Sequence, residues 1–149
     1  ARNGASVKII TNSPETNDLP QMSYASRYLY EDLLNVNFES NTKGKLEIYE
    51  WAGQRFHEGT NHAKFAVIDG RTIIGGSYNL DPRSEKLNSE TVVVFEQVEL
   101  AQKLATFIKS NDLKKVVPIS MQQARIFHDP KNPPDFMQLL IWNGLKGML

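Results

Sequence analysis

The chain has 149 residues, 40% of them apolar, with 17 basic and 17 acidic side chains and a formal charge of zero. That length favours one domain with a real core; the composition excludes a disordered chain, and no apolar run approaches the roughly 18 residues of a membrane-spanning helix. Zero cysteines exclude disulfides and thiolate metal sites, and the neutral charge argues against a nucleic-acid partner, whose binding rests on Lys and Arg meeting phosphates.

The chain opens into a short apolar strand, Val7 to Ile10, followed by turn-rich "TNSPETNDLP". The stretch "SYASRYLYEDLL", with Tyr24, Tyr28, Leu29, Leu33 and Leu34, has helical spacing. "NVNFESNTKGK" reads as a loop, "LEIYEW" as a strand and "AGQRFHEGTN" as a second loop. "HAKFAVID" and "TIIGGSY" read as two strands joined at Asp69-Gly70 or Gly70-Arg71, since Asp-Gly between β-rich runs signals a hairpin. "DPRSEKLNS" is a polar turn or short helix, "ETVVVFE" a buried strand, and "VELAQKLATFIKSN" a helix with Leu100, Leu104, Phe107 and Ile108 on one face. Strands alternating with helices predict an α/β domain, its sheet mixed because of the hairpin and flanked by helices on both faces. The tail after residue 112 shows no clear pattern beyond an apolar helix with Phe136, Leu139, Leu140 and Trp142 near one side. The expectation for it is docking on this domain's own sheet; the other readings are docking on a missing half or contact with a bilayer surface, to which the single Lys146 lends little.

The chemistry gathers between Asn61 and Glu90. On a strand, residues two apart share a face, so His62 and Lys64 are expected to point one way, and Ser77 and Asn79 likewise. Paired as a hairpin, these four converge on one patch beside the bare backbone of Gly75 and Gly76, which a ligand can approach closely. Lys64 offers a full charge, Asn79 an amide and Ser77 a hydroxyl, a donor set suited to a phosphoryl group. His62, titrating near neutral pH, suits a nucleophile or general acid. Glu90 is the candidate that orients its imidazole. Asp69 falls on the opposite parity and is expected to serve the hairpin turn.

These residues form a recognisable set. "HAKFAVID" resembles the His-x-Lys-x4-Asp signature of the phospholipase D superfamily through His62, Lys64 and Asp69. "GGSYN" resembles that family's downstream glycine, serine and asparagine element, and "LNSE" its trailing Asn-x-Glu. "VKIITNSPETNDLP", "YASRYLYEDLL", "LEIYEW" and "NLDPRSEKLNSE" look like the second half of bacterial cardiolipin synthases, over roughly residues 5–96.

The resemblance implies a mechanism. Two such motifs meet across a pseudo-two-fold axis; one histidine attacks phosphorus to form a phosphohistidine and the other protonates the leaving alcohol. Water or another alcohol then takes the intermediate, so the reaction is a hydrolysis or a phosphatidyl transfer, with no metal and no cofactor required. The expected organisation is therefore one catalytic half-domain over residues 1–149, with a core over about 5–112 and a tail over 113–149. Its expected partners are a phospholipid substrate and either an N-terminal half carrying the second motif or a second copy of this chain. The expected setting is bacterial and membrane-peripheral; a homodimeric phosphodiesterase or nuclease is the alternative. Arg83 is weighed as a headgroup contact against a salt bridge with Asp81; His57 and His128 read as loop residues.

Overall fold

The computed structural model describes residues 1–53, 59–79 and 82–127, and of Pro82 and Arg83 the backbone alone. His57, Asp81, the Arg83 side chain, His128 and the apolar tail with Phe136, Leu139, Leu140, Trp142 and Lys146 lie outside the described residues. The chain forms two compact units: Ala1–Asn61 with the segment from Lys115, and His62–Lys114. It is an α/β protein in which the ladders of the described residues divide into two three-stranded sheets, one mixed and one antiparallel.

In the first unit, β1 (Ser6–Asn12) runs parallel to β2 (Lys45–Trp51), and β6 (Val116–Pro118) pairs antiparallel with β2. The β1–β2 register sets Lys8 against Glu47, whose side chains pair. The expected helix over "SYASRYLYEDLL" is two helices, α1 (Pro20–Arg27) and α2 (Tyr30–Asn35). The break has a local cause: Tyr28 and Leu29 donate three residues back, to Ala25 and Ser26, and the Ser26 hydroxyl occupies the Ser23 carbonyl at 2.8 Å, a local bond that competes with the helical ladder. Tyr30 and Leu34 of α2 pack on Ile48 of β2, with Ile119 and with Ala124 of α5 (Met121–Phe127). Ile48, 1% exposed, sits at the centre.

In the second unit, β3 (Phe65–Ile68), β4 (Thr72–Gly76) and β5 (Val92–Glu96) form an antiparallel sheet, with α3 (Pro82–Lys86) between β4 and β5 in sequence. The hairpin appears where Asp-Gly predicts it. Asp69 and Gly70 have φ of 52° and 59°, and Arg71 N–H closes the turn on Ile68 O at 3.0 Å. Helix α4 (Val98–Ser110) packs on β3 and β4. Its inward face centres on Ala101, with Leu104, Ala105 and Ile108 partly buried, while Leu100 and Phe107 are exposed. The apolar stripe is thus rotated from the one the larger side chains predict, toward the fully buried Ala101.

The expectation of a buried β5 is corrected. Val92, Val93, Val94 and Phe95 are all exposed, Val94 by 60%. An unbroken apolar run predicts cover on both faces, but among the described residues β5 is an edge strand whose one ladder neighbour is β4.

Candidate active site

His62, Ala63 and Lys64 precede β3 and lie outside its regular ladder, so strand alternation alone does not set their faces as the sequence suggested. One further bond extends the pairing: Gly76 N–H donates to Lys64 O at 3.2 Å. That places Lys64 beside the end of β4, one residue from Ser77. The Lys64 ammonium turns back onto the His62 carbonyl at 3.2 Å. The His62 side chain is exposed, and its imidazole makes no hydrogen bond among the described residues.

Past β4 the polar groups close around one carboxylate. The Ser77 hydroxyl donates to Glu90 Oε2 at 2.5 Å, and Glu90 Oε1 accepts from Ser84 at 2.8 Å and Asn88 at 3.2 Å. Ser77 Oγ also accepts Thr91 N–H at 3.0 Å, and Ser84 Oγ accepts Asn79 N–H at 3.2 Å. These bonds, Ser77 first, then Ser84, hold the Glu90 carboxyl below its usual range, and the nearby Lys64 charge adds to this. Lys64, Ser77, Asn79 and Glu90 are therefore brought together. Glu90, however, is bound to the serines and not to His62, and the single Ser77 proton is committed to Glu90. Of the donors that the sequence singled out, the Lys64 ammonium and the exposed Asn79 amide are not committed to Glu90.

The two glycines differ. A Cβ on Gly76 would stand 2.0 Å from Thr91 O and 3.0 Å from Val92 Cα, so the bare backbone there serves the approach of β5. A Cβ on Gly75 would meet nothing closer than Phe65 Cβ at 3.7 Å. Asp69 lies in the turn at the far end of β3 from His62. Sequence reasoning missed Ser84, 4% exposed, which joins the Asn79 backbone to Glu90. Its only sequence signal is a hydroxyl in the polar "DPRSEK" stretch. Among the described residues no group of three His, Cys, Asp or Glu gathers to hold a metal ion.

The model of the family described as "Cardiolipin synthase, PLD-like domain" matches residues 1–111. The chain belongs to that family. Cardiolipin synthase C of Escherichia coli K12 is 34% identical over 106 residues, 68% of this chain and 22% of the relative. Cardiolipin synthase A of Yersinia pseudotuberculosis serotype O:1b is 33% identical over 96 residues, 64% of this chain and 17% of the relative. This PLD-like domain thus spans about a fifth of the length of the curated relatives it matches. The crystal structure of phosphatidylserine synthase from Haemophilus influenzae Rd KW20 superposes with a TM-score of 0.66 at 18% identity, over 98% of this chain and 34% of that one. The domain shares that fold. No helix among its described residues is long and apolar enough to cross a membrane.

Proposed function

We propose that this PLD-like domain is one catalytic half of a phospholipid-directed phosphatidyltransferase or phosphodiesterase of the cardiolipin synthase kind, completed by a second histidine motif. The observation that carries the reading is the Lys64, Asn79 and Glu90 cluster built beside His62 in a chain of this family. The exposed apolar strand β5 supports the need for a further covering surface, which an N-terminal half or a second copy would supply.

In this reading the histidine of the other motif attacks phosphorus. A P–N bond forms as the bond to the leaving alkoxide breaks, and His62 as imidazolium gives that oxygen its proton. Neutral His62 then takes the proton of the incoming water or alcohol, whose oxygen displaces the histidine from phosphorus. Lys64 and Asn79 bind the equatorial oxygens, where negative charge gathers. Glu90 holds Ser77 and Ser84 in place behind them, so the oxyanion donors rest on a fixed frame.

The test has two arms. This chain alone, given a chromogenic phosphodiester in EDTA, is expected to be inactive. The protein carrying both motifs is expected to convert phosphatidylglycerol vesicles to a transfer or hydrolysis product, and His62→Ala is expected to lower the rate by roughly 10²–10⁴-fold with the fold intact. Activity of the chain alone, resistant to EDTA and lost in His62→Ala, would give the self-paired phosphodiesterase instead. A folded two-motif protein that leaves phospholipid untouched would end the lipid reading.

A further inference from the structure

The three residues before His62 are each held by a side chain of the first unit. Trp51 Nε1 donates to Gly59 O at 3.0 Å, and the Thr60 hydroxyl donates to Asp18 Oδ1 at 2.9 Å. Asn61 is held twice by one side chain: Asn12 Nδ2 donates to Asn61 O at 2.9 Å, and Asn61 N–H donates to Asn12 Oδ1 at 3.0 Å. Asn12 closes β1, and Trp51 closes β2, so rigid strand ends carry two of the three holds. Asn12 is itself partly buried against the Thr16 hydroxyl, 3.5 Å from its Oδ1.

The two Asn12 bonds are not equivalent to the others. A peptide group is planar, so the Asn61 carbonyl lies in one rigid plane with the nitrogen and Cα of His62. The Asn61 N–H belongs to the preceding plane, shared with Thr60. One carboxamide therefore fixes both peptide planes that flank Asn61, and with them the point from which the His62 side chain departs. Only a group with a donor and an acceptor side by side does this. An aspartate would keep the acceptor for Asn61 N–H but would set a second oxygen against the carbonyl that leads into His62.

We infer that Asn12 is a positioning residue for the His62 imidazole, acting through the Asn61 backbone; this rests on the catalytic reading of His62. A reacting group displaced by about 1 Å loses roughly 10²-fold in rate, while substrate binding by other residues is untouched. The signature of Asn12 is therefore a fall in kcat without a matching rise in KM.

The experiment compares Asn12→Asp, Asn12→Ala and Thr60→Val in the protein carrying both motifs. Thr60→Val removes the bond to Asp18 but leaves the His62 peptide plane held. Both Asn12 variants are expected to lose about 10–100-fold in kcat, with KM and Tm close to wild type, while Thr60→Val retains wild-type kcat. Folded Asn12 variants with unchanged kcat overturn the proposal. So does activity that falls in all three variants in step with Tm, or the failure of both Asn12 variants to fold, since Asn12 would then serve stability alone.

A wild type inactive on phospholipid would defeat the lipid reading without touching the clamp, which amide exchange and NMR read directly in this chain. The Asn61 amide is expected to exchange at least tenfold faster in Asn12→Ala than in wild type, and the His62 ring resonances to move in Asn12→Asp but not in Thr60→Val. Equal exchange rates, or ring resonances indifferent to Asn12, overturn the proposal independently of activity.

Discussion

The Ser77 hydroxyl and the Glu90 carboxylate meet at 2.5 Å, and the same hydroxyl oxygen receives Thr91 N–H at 3.0 Å. Ser77 thereby spends its proton and a lone pair on the frame of the site. This has a titration consequence. Glu90 is held ionised first by Ser77, then by Ser84, below the usual carboxylate range. A depressed carboxyl contributes its stabilisation above the unfolded value, about 4.3, and loses it as pH falls through the folded value. The network is therefore expected to stay intact from pH 8 to pH 5 and to open only in stronger acid. Following the Glu90 carboxyl carbon by NMR checks this: in Ser77→Ala its midpoint should move up toward the ordinary glutamate value. An unmoved midpoint would mean that Ser77 does not hold the charge.

Gly76 and Gly75 are expected to respond oppositely to one methyl group. At Gly76 the added carbon meets the backbone of Thr91 and Val92, which cannot swing aside as a side chain would. Gly76→Ala should cost about 1–3 kcal/mol, as overpacking does, and should disturb Ser77 and Glu90 by pushing β4 from β5. Gly75→Ala has room beside Phe65 and should change stability by no more than about 0.5 kcal/mol. Urea denaturation of both variants decides it; equal costs would place the constraint elsewhere.

The parts of this domain that were legible in sequence are those with a local signature. The Asp69-Gly70 turn, the β-branched and aromatic residues of β1 to β5 and the spacing of His62, Lys64, Ser77, Asn79 and Glu90 are all read within short windows. β6 and α5 were missed inside the tail, although Ser120 and Gln123 carry a helix-start signal. Gln123 N–H donates to Ser120 Oγ at 3.2 Å, and Gln123 Oε1 accepts Ser120 N–H at 2.9 Å, a reciprocal capping pair at i and i+3. The Asn12 hold on Asn61 spans 49 residues, and a side chain to backbone bond at that range leaves no periodic trace. The commitment of Ser77 to Glu90 was also not legible. A list of donors gives what a site could offer a phosphoryl group, but not which protons are already spent.

Asp69 is expected to matter for folding and not for chemistry. Its φ of 52° lies in the left-handed region, which aspartate tolerates and β-branched residues do not. Asp69→Val should cost about 1–2 kcal/mol, and Asp69→Gly or Asp69→Asn should be nearly neutral. kcat at saturating substrate should be unchanged in Asp69→Asn. A loss of kcat there, with Tm preserved, would give Asp69 a direct part in the reaction.

Among the described residues of the first unit, Arg27 and Glu50 form an ion pair largely away from water. Arg27 makes two bonds to Glu50, at 2.7 Å and 2.6 Å, and Tyr30 adds its hydroxyl at 3.2 Å. Glu50 is 4% exposed, and the guanidinium carbon lies 4.5 Å from the Phe127 ring centroid. Desolvating two charges offsets most of their attraction, so the pair adds little net stability, but removing one partner strands the other. Arg27→Met should therefore cost about 3–5 kcal/mol. The double variant Arg27→Met with Glu50→Leu should recover most of that loss, since Tyr30, Phe127 and Tyr24 already give the side chains apolar surroundings. Thermal and denaturant unfolding of the two single variants and the double complete the cycle. A double variant that loses the sum of the two singles would show that the charges act independently, against the bidentate geometry.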